Sequence, residues 1–472
     1  MKKEKLPEVE QVVLPNILGM RPGKYILIAL IVVILLLIFL LGILPGIISS
    51  GRYISFNSNL ADVGIILDGK YIGSTEGSRI FVSSGKHNVE YIKNSEKIAD
   101  DVISVDKPIF LTLLIKRTMN VDVPNVGNQE IYNNSLENTL YNIVSYSQVV
   151  DYSDFYNYPP LITNLAKDAV ACNISDVSKE FFLLLNFITS DVLKADLDNA
   201  LIILEQNNIS YKTANFTNFY NMLPDVLSSN LDIVKVSQKK CVNSPKKANN
   251  MFIYDEVTFE IGTDSYPNIF GINTYPVLVN VKPFAVSESY VSEYDWALFI
   301  EANPYWAKSN INTLINDGMV DEYYLAGIFP STVNKSTLPI RNISYNAALA
   351  YVSWLSDKTG EPYRLLSEAE YEVVASSCSN KPYSNSLVVV DNDSTLPKGV
   401  NGCLWEFTST HYVPLARLSG SYEELTKLGI GDVIIKGGSY INNSSTVSPE
   451  SVGVIEKNVT SEYTGFRVAK DI

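Results

Sequence analysis

Residues 25–48, YILIALIVVILLLIFLLGILPGII, carry no charged side chain. As a helix this run measures about 36 Å at about 1.5 Å per residue, longer than the roughly 30 Å hydrocarbon core of a bilayer. The competing reading is a cleavable signal peptide, whose apolar region usually runs only about 7–15 residues. This run is longer and no convincing small-x-small cleavage site follows it, which favours an uncleaved anchor. Lys2, Lys3, Lys5, Arg21 and Lys24 precede the span, and Arg52 is the one basic residue close behind it. The positive-inside rule therefore puts residues 1–24 in the cytoplasm as a tail and the transmembrane helix at 25–49. It puts the bulk of the chain outside the cytoplasm.

A chain of 472 residues exceeds one ordinary core, so about two to four domains are expected. Hydrophobic residues make up 46% and charged ones 19%, which fits ordered domains plus a membrane segment. The formal net charge is −14 with no basic stripe, which argues against nucleic acid as a partner, because phosphate contact needs clustered Lys and Arg. His87 and His411 are the only histidines and lie far apart, which argues against a His-rich metal centre. Cys172, Cys241, Cys378 and Cys403 form no CxxC pair. Their three alternative pairings stay open in an exported chain, with at most one bridge expected in each half.

Beyond the span, 55–118 reads as short alternating strands. In VGIILDGKYIGS, Asp68-Gly69 separates two apolar runs, a hairpin signal. SSGKHNVEYI adds a turn at Gly85 before an alternating strand through Val89 and Tyr91. DGKYIG and GKH resemble the PEGA domain, a small β-sandwich common on bacterial surface and periplasmic proteins, with SSG standing where that family carries Pro-Glu-Gly. Asp68 and His87 are read as turn formers there. Residues 120–245 read as a helical domain, with Leu136, Leu140, Ile143 and Val144 at helical spacing behind a cap at Asn134. QKKCVNSPKKANN, 238–250, reads as a linker.

All four tryptophans, Trp296, Trp306, Trp354 and Trp405, fall in the last region, 250–472, which predicts a large aromatic core there. Ser344 is placed to cap a helix through YNAALAYVSWLSDK that ends at Gly360. Ser367 and Glu370 in LLSEAEYEVVA form a capping box for the next helix. MFIYDEVTFEIGTD (251–264) reads as an opening hairpin, and VKPFAVSESYVSEYDWALFIEANP (281–304) as a strand and first helix. With LPIRNISYNAALAYVSWLSDKTGEPYRLLSEAEYEVVA (338–375), NGCLWEFTS (401–409), IIKGGSY (434–440) and TGFRVA (464–469), this ordered set resembles the formylglycine-generating-enzyme, or sulfatase-modifying-factor, family. The resemblance implies an α+β fold related to the C-type lectins and rich in loops. The whole chain then reads as that domain at 250–472, a β-sandwich module, a helical middle and one N-terminal transmembrane helix.

The oxidases of that family hold copper through a pair of cysteines shortly after GGSY, because soft Cu(I) takes thiolate ligands. Residues 441–465 here contain no cysteine. Cys378 and Cys403 fall in other motifs and read as buried small residues or a disulfide. The iron branch of the family uses histidines from an additional helical domain, and 120–245 has none. His411 lacks a GxSxG context and reads as a solvated loop residue. The family's calcium loop leaves one metal expectation: the Glu406 carboxylate with the Gly402 and Leu404 carbonyls, one ligand being lost where Gly399 replaces Asn. Arg467 reads as a structural ion-pair partner. Tyr440, Asn442 and Asn443 are the expected ligand surface. The functional expectation is a membrane-anchored, extracytoplasmic and non-catalytic head that binds protein, peptide or glycan in a bacterial envelope, or serves as a component of an envelope assembly. A divergent metal-dependent oxidase of the same family is the alternative.

Overall fold

The computed structural model describes residues 14–112, 114–148, 158–228, 243–263, 275–328, 336–378, 383, 386–388 and 395–472. Cys241, Lys2, Lys3, Lys5 and the first part of the expected linker, 238–242, lie outside these residues. By contact the chain divides into two units, one of residues 1–135 with 164–174 and one of 136–163 with 175–472.

In the first unit, residues Pro22–Ile48 form a helix long and apolar enough to cross a membrane. It runs as Pro22–Ile38, a π-helical turn at Phe39–Ile43, and Leu44–Ile48, whose first turn holds Pro45. Its side chains are exposed along the length, from Ile26 at 48% to Leu41 at 56%, so no protein core absorbs them. Two sheets follow. One has the order Ile80–Ser83, Gly51–Asn57, Thr118–Asp122; the other Lys70–Ser74, Gly64–Leu67, Gly85–Lys93, Glu96–Val105. The Asp68-Gly69 hairpin forms as expected between Leu67 and Lys70, with φ of 49° and 78° at its two central residues. Asp68 does more than turn the chain. Its carboxylate holds the His87 ring at 2.7 Å and the Asn88 amide at 2.9 Å, fixing the hairpin against the neighbouring strand. Val63, Ile65, Val89, Tyr91 and Ile103 alternate inward as the core.

The middle region is helical at Gln129–Gln148, Leu161–Ala171, Ser178–Leu185, Asp191–Gln206 and Ala214–Leu227. Its first helix starts a turn and a half before Asn134. Asn128 caps it by accepting the Ile131 amide, while Asn134 sits inside the helix and donates to Glu96. Both residues suit a cap; the earlier one comes first in the chain and leaves the later no free amide to serve. Asp168 is buried in the first unit, where it pairs with Lys93 at 2.8 Å and accepts the Ala61 amide at 2.8 Å. Cys172, Cys378 and Cys403 are buried thiols, so no bridge joins them.

The second unit holds a five-stranded sheet ordered Tyr363–Arg364, Ala469–Asp471, Phe284–Ser287, Met251–Tyr254, Lys246–Ala248. A two-stranded ribbon pairs Val257–Ile261 with Val277–Val281, and a four-stranded sheet is ordered Val452–Ile455, Val433–Lys436, Trp405–His411, Thr464–Gly465. The expected opening hairpin is thereby corrected. Met251–Tyr254 turns back on Lys246–Ala248, and Val257–Ile261 leaves for another sheet. Part of the expected linker is thus an edge strand, whose exposed lysines read as linker. Both cap predictions hold. The Ser344 hydroxyl accepts the Ala347 amide and Gly360 closes Tyr345–Thr359 at φ 74°. The Ser367–Glu370 box opens Glu368–Ser377. The aromatic core forms around Trp296, which stacks on Tyr351 at 5.6 Å beside Phe299 and Phe466; Trp405 is buried with them, and Trp306 and Trp354 are partly so. Each such ring contributes roughly 1.5–3 kcal/mol by leaving water.

Candidate functional site

The strand Val433–Lys436 is buried at every residue, its last a lysine with no exposure. The Lys436 ammonium lies 2.8 Å from Glu372 and 3.5 Å from Glu368, and donates to the Glu450 carbonyl at 3.1 Å. Glu368 and Glu372 stand four residues apart, on one face of Glu368–Ser377. Glu372 also accepts the Gly262 amide, and Glu368 accepts from Arg417 at 2.7 Å and the Tyr422 hydroxyl at 2.6 Å. Burial alone would raise the Glu368 pKa, but Arg417 and Lys436 outweigh it and hold the carboxyl below its ordinary value. Among the described residues, two carboxylates and two cations are thus enclosed together, and their partners tie a helix, a strand and two loops together.

Past this anchor the chain turns at Gly437 and Gly438, with φ of 92° and 72°. A Cβ at Gly437 would sit 1.9 Å from the Tyr371 hydroxyl, so only glycine fits. The next residues, those expected to present a ligand surface, hold themselves in place. The Asn442 side-chain oxygen accepts from the Ser439 amide at 2.8 Å and its hydroxyl at 3.0 Å. Asn443 accepts the Ser445 amide at 3.0 Å and caps the short 3₁₀ turn Ser444–Thr446. The Tyr383 hydroxyl donates to the carbonyls of Ser439 and Asn442. The Tyr440 ring lies 5.8 Å from Tyr463. Ile441 between them is 57% exposed. Tyr440, Asn442 and Asn443 lie on one loop, the first two half-buried and the third exposed.

The residues expected to hold calcium are arranged otherwise. Glu406 is 1% exposed, and Arg467 binds both its carboxylate oxygens at 2.7 Å. The Leu404 carbonyl accepts the Tyr290 hydroxyl at 3.0 Å, and the Gly402 amide bonds Gly437. With Arg467 on both its oxygens, the Glu406 carboxylate is not free to take up calcium as the resemblance implied. Burial would lower the Arg467 pKa, but Glu406 keeps it above its ordinary value, so the pair stays charged. The expectation for Arg467 as an ion-pair partner holds. Among the described residues no group of three or more His, Cys, Asp and Glu is placed to ligate a metal.

The remaining candidates are equally enclosed. Burial pushes the Cys403 thiol up to about 12, far from a thiolate at neutral pH. His411 is not a solvated loop residue. It ends the strand Trp405–His411, 7% exposed, and burial lowers its pKa to about 4 with a further contribution from Lys457. It is therefore neutral at physiological pH, and its Nδ1 has no hydrogen-bond partner among the described residues. One feature was not expected from sequence. A cavity of about 430 Å³ is lined by Lys282, Arg364, Glu370, Ser409, Tyr422 and Asp471 among others. Arg364 is clamped there by Glu370 through two contacts of 2.7 Å and by Asp471 at 2.5 Å. Arg364, three residues before the capping-box Ser367, was the available sequence signal.

Fold and site together define a loop-rich α+β domain stabilised by enclosed ion pairs, and residues 240–395 match the family model of the sulfatase-modifying factor enzyme 1-like domain. NGCLWEFTS, IIKGGSY and TGFRVA lie beyond that match. An uncharacterised protein of Borreliella burgdorferi is 26% identical over 404 residues, spanning 79% of this chain and 81% of that protein. Among solved structures, PvdO from Pseudomonas aeruginosa is 20% identical, with a TM-score of 0.37, and covers 50% of this chain and 100% of its own. Variable protein 1 of Treponema denticola is 14% identical, with a TM-score of 0.30, over 47% of this chain and 95% of its own.

Proposed function

We propose that this chain is a single-pass protein of the cytoplasmic membrane, N-terminus inside, whose sulfatase-modifying-factor-like domain stands outside the cytoplasm. There it binds a protein, peptide or glycan without catalysis, as a component of an envelope assembly. The observation that carries this reading is the fate of the family's chemical positions. Residues 441–465 supply neither a thiol nor an imidazole, and Glu406 of the metal loop is neutralised by Arg467. What remains there is the loop of Tyr440, Asn442 and Asn443, whose aromatic and amide groups suit contacts with polar ligands.

Metal analysis of the purified full chain, with oxygen uptake on a cysteine peptide, tests the absence of catalysis. Stoichiometric copper with oxygen consumption overturns it in favour of a divergent oxidase. Crosslinking in intact cells followed by pull-down tests the binding role. A reproducible envelope partner lost on deletion of residues 440–446 supports it, and an unchanged crosslink pattern counts against that loop. Protease accessibility of the chain in spheroplasts, with the tail protected, tests the orientation.

A further inference from the structure

The connection between strands Glu96–Val105 and Thr118–Asp122 reads DKPIFLTLLIKR, 106–117. Ile109, Phe110, Leu114 and Ile115 are 47%, 51%, 76% and 48% exposed, so no core of the unit buries them. Its backbone at 109–111 nonetheless has a fixed partner, the apolar helix. The Leu111 amide donates to the Gly42 carbonyl at 2.6 Å. At Gly46 a Cβ would lie 2.1 Å from the Ile109 carbonyl oxygen, so the two backbones touch. Gly42 faces the side chains of Phe110 and Leu111. Gly42 and Gly46 are one turn apart on the same helix face, the small-residue spacing that lets a second backbone approach within a bilayer. The Leu111 donor serves a helix carbonyl close to Pro45, and in hydrocarbon each backbone polar group needs an internal partner.

Gly42 precedes the helix end at Ile48 by six residues, a depth of about 9 Å at about 1.5 Å per residue. Interfacial apolar elements enter a leaflet by about 5–10 Å. Lys107, Lys116 and Arg117 flank the apolar stretch and are exposed, with Asp106 the only carboxylate between 106 and 117 in a chain of net charge −14. Lys116 and Arg117 also line a cavity of about 290 Å³ with Ser49 and Tyr53, at the level where the helix ends.

We propose that this connection is a second membrane element. It sets Ile109, Phe110, Leu114 and Ile115 into the leaflet at the C-terminal end of the helix, with Lys107, Lys116 and Arg117 on the phosphates of anionic lipids. The inference rests on the reading of Pro22–Ile48 as an anchor and adds to it. A bare single helix lets the extracytoplasmic part swivel, whereas two adjacent insertions fix how its first unit stands on the surface.

The test reconstitutes the full chain in phosphatidylcholine vesicles with and without phosphatidylglycerol, carrying acyl-chain spin-label quenchers. The native tryptophans all follow residue 290 and serve as the common background. A Phe110→Trp variant is compared with a Leu35→Trp variant in mid-helix. The added emission of both is expected to be largely lost, with a shallow quencher acting best on Phe110→Trp and a deep one on Leu35→Trp. Quenching of Leu35→Trp alone overturns the second element and leaves the anchor standing. Quenching of neither overturns both. Lys116→Gln with Arg117→Gln is expected to abolish the extra quenching that phosphatidylglycerol gives to Phe110→Trp. An unchanged response to phosphatidylglycerol overturns the headgroup contact.

Discussion

The strand Val433–Lys436 and the loop 439–451 adjoin in the chain and are held by opposite means. The strand is fixed by remote partners, Glu368 and Glu372 on one helix and the strands on either side. The loop is fixed largely by itself, through Asn442 to Ser439, Asn443 to Ser445 and Ser451 to Ser448 and Thr446. A segment whose order comes largely from its own side chains depends less on the sheet beneath it, although the Glu450 carbonyl still accepts from Lys436. A segment whose order comes from enclosed charges has no such independence.

The sharpest way to break the strand side is Lys436→Met. It leaves Glu368 and Glu372 enclosed with Arg417 as their one cation among the described residues, and losing one member of a buried ionic set costs roughly 3–5 kcal/mol. For a domain of this size that corresponds to a melting point lower by roughly 10 °C. Thermal unfolding of the detergent-solubilised full chain measures it, and an unchanged transition would show that the network is dispensable. Gly437→Ala is expected to cost somewhat less. Crowding against the buried Tyr371 ring contributes about 1–3 kcal/mol, and the left-handed backbone about 1 kcal/mol more.

The third break uses pH. His411 has its folded pKa depressed to about 4 from an ordinary 6.5 by burial and Lys457. Between those values the unfolded chain takes up a proton that the folded chain refuses. Its stabilising contribution is therefore complete above about pH 6.5 and falls as pH drops toward 4, by at most about 3 kcal/mol. Melting profiles of wild type and His411→Gln over that range are expected to differ in slope, the variant losing less stability on acidification. Parallel profiles would place His411 in contact with water.

These differences also decide what was legible in the sequence. The caps at Ser344 and Ser367 depend on three or four consecutive residues, and both formed where their spacing put them. The Asp68-Gly69 turn is equally local. The opening hairpin failed because the partners of Met251–Tyr254 are chosen at long range by Phe284–Ser287 and at short range by an exposed, lysine-bearing edge strand. His411 failed because TSTHY reads as a polar loop. In the fold, its hydroxyls are satisfied inside: Thr408 donates to the Ile434 carbonyl, and Thr410 accepts the Glu368 amide. Nor does Lys436 in IIKGG announce its burial. The pair Glu368 and Glu372, four apart beside a capping box, was the readable half of that network. The pairing of Glu406 was half visible too. Gly399 signalled a missing ligand, whereas the Arg467 guanidinium arrives from 61 residues away.

The smallest expected effects on stability fall in the loop, and they carry the test of what it does. Asn442→Ala removes two acceptor contacts to Ser439, whose backbone is enclosed, and is expected to cost about 1–2 kcal/mol. Asn443→Ala removes a cap from an exposed turn and costs about 0.5–1 kcal/mol. A melting shift of no more than a few degrees in either variant, together with loss of the crosslinked envelope partner, would assign the loop to recognition and the strand to scaffold. If Asn443→Ala, exposed and nearly neutral in stability, keeps the partner while Lys436→Met loses it, binding follows the integrity of the domain. The contrast between strand and loop would then concern folding alone.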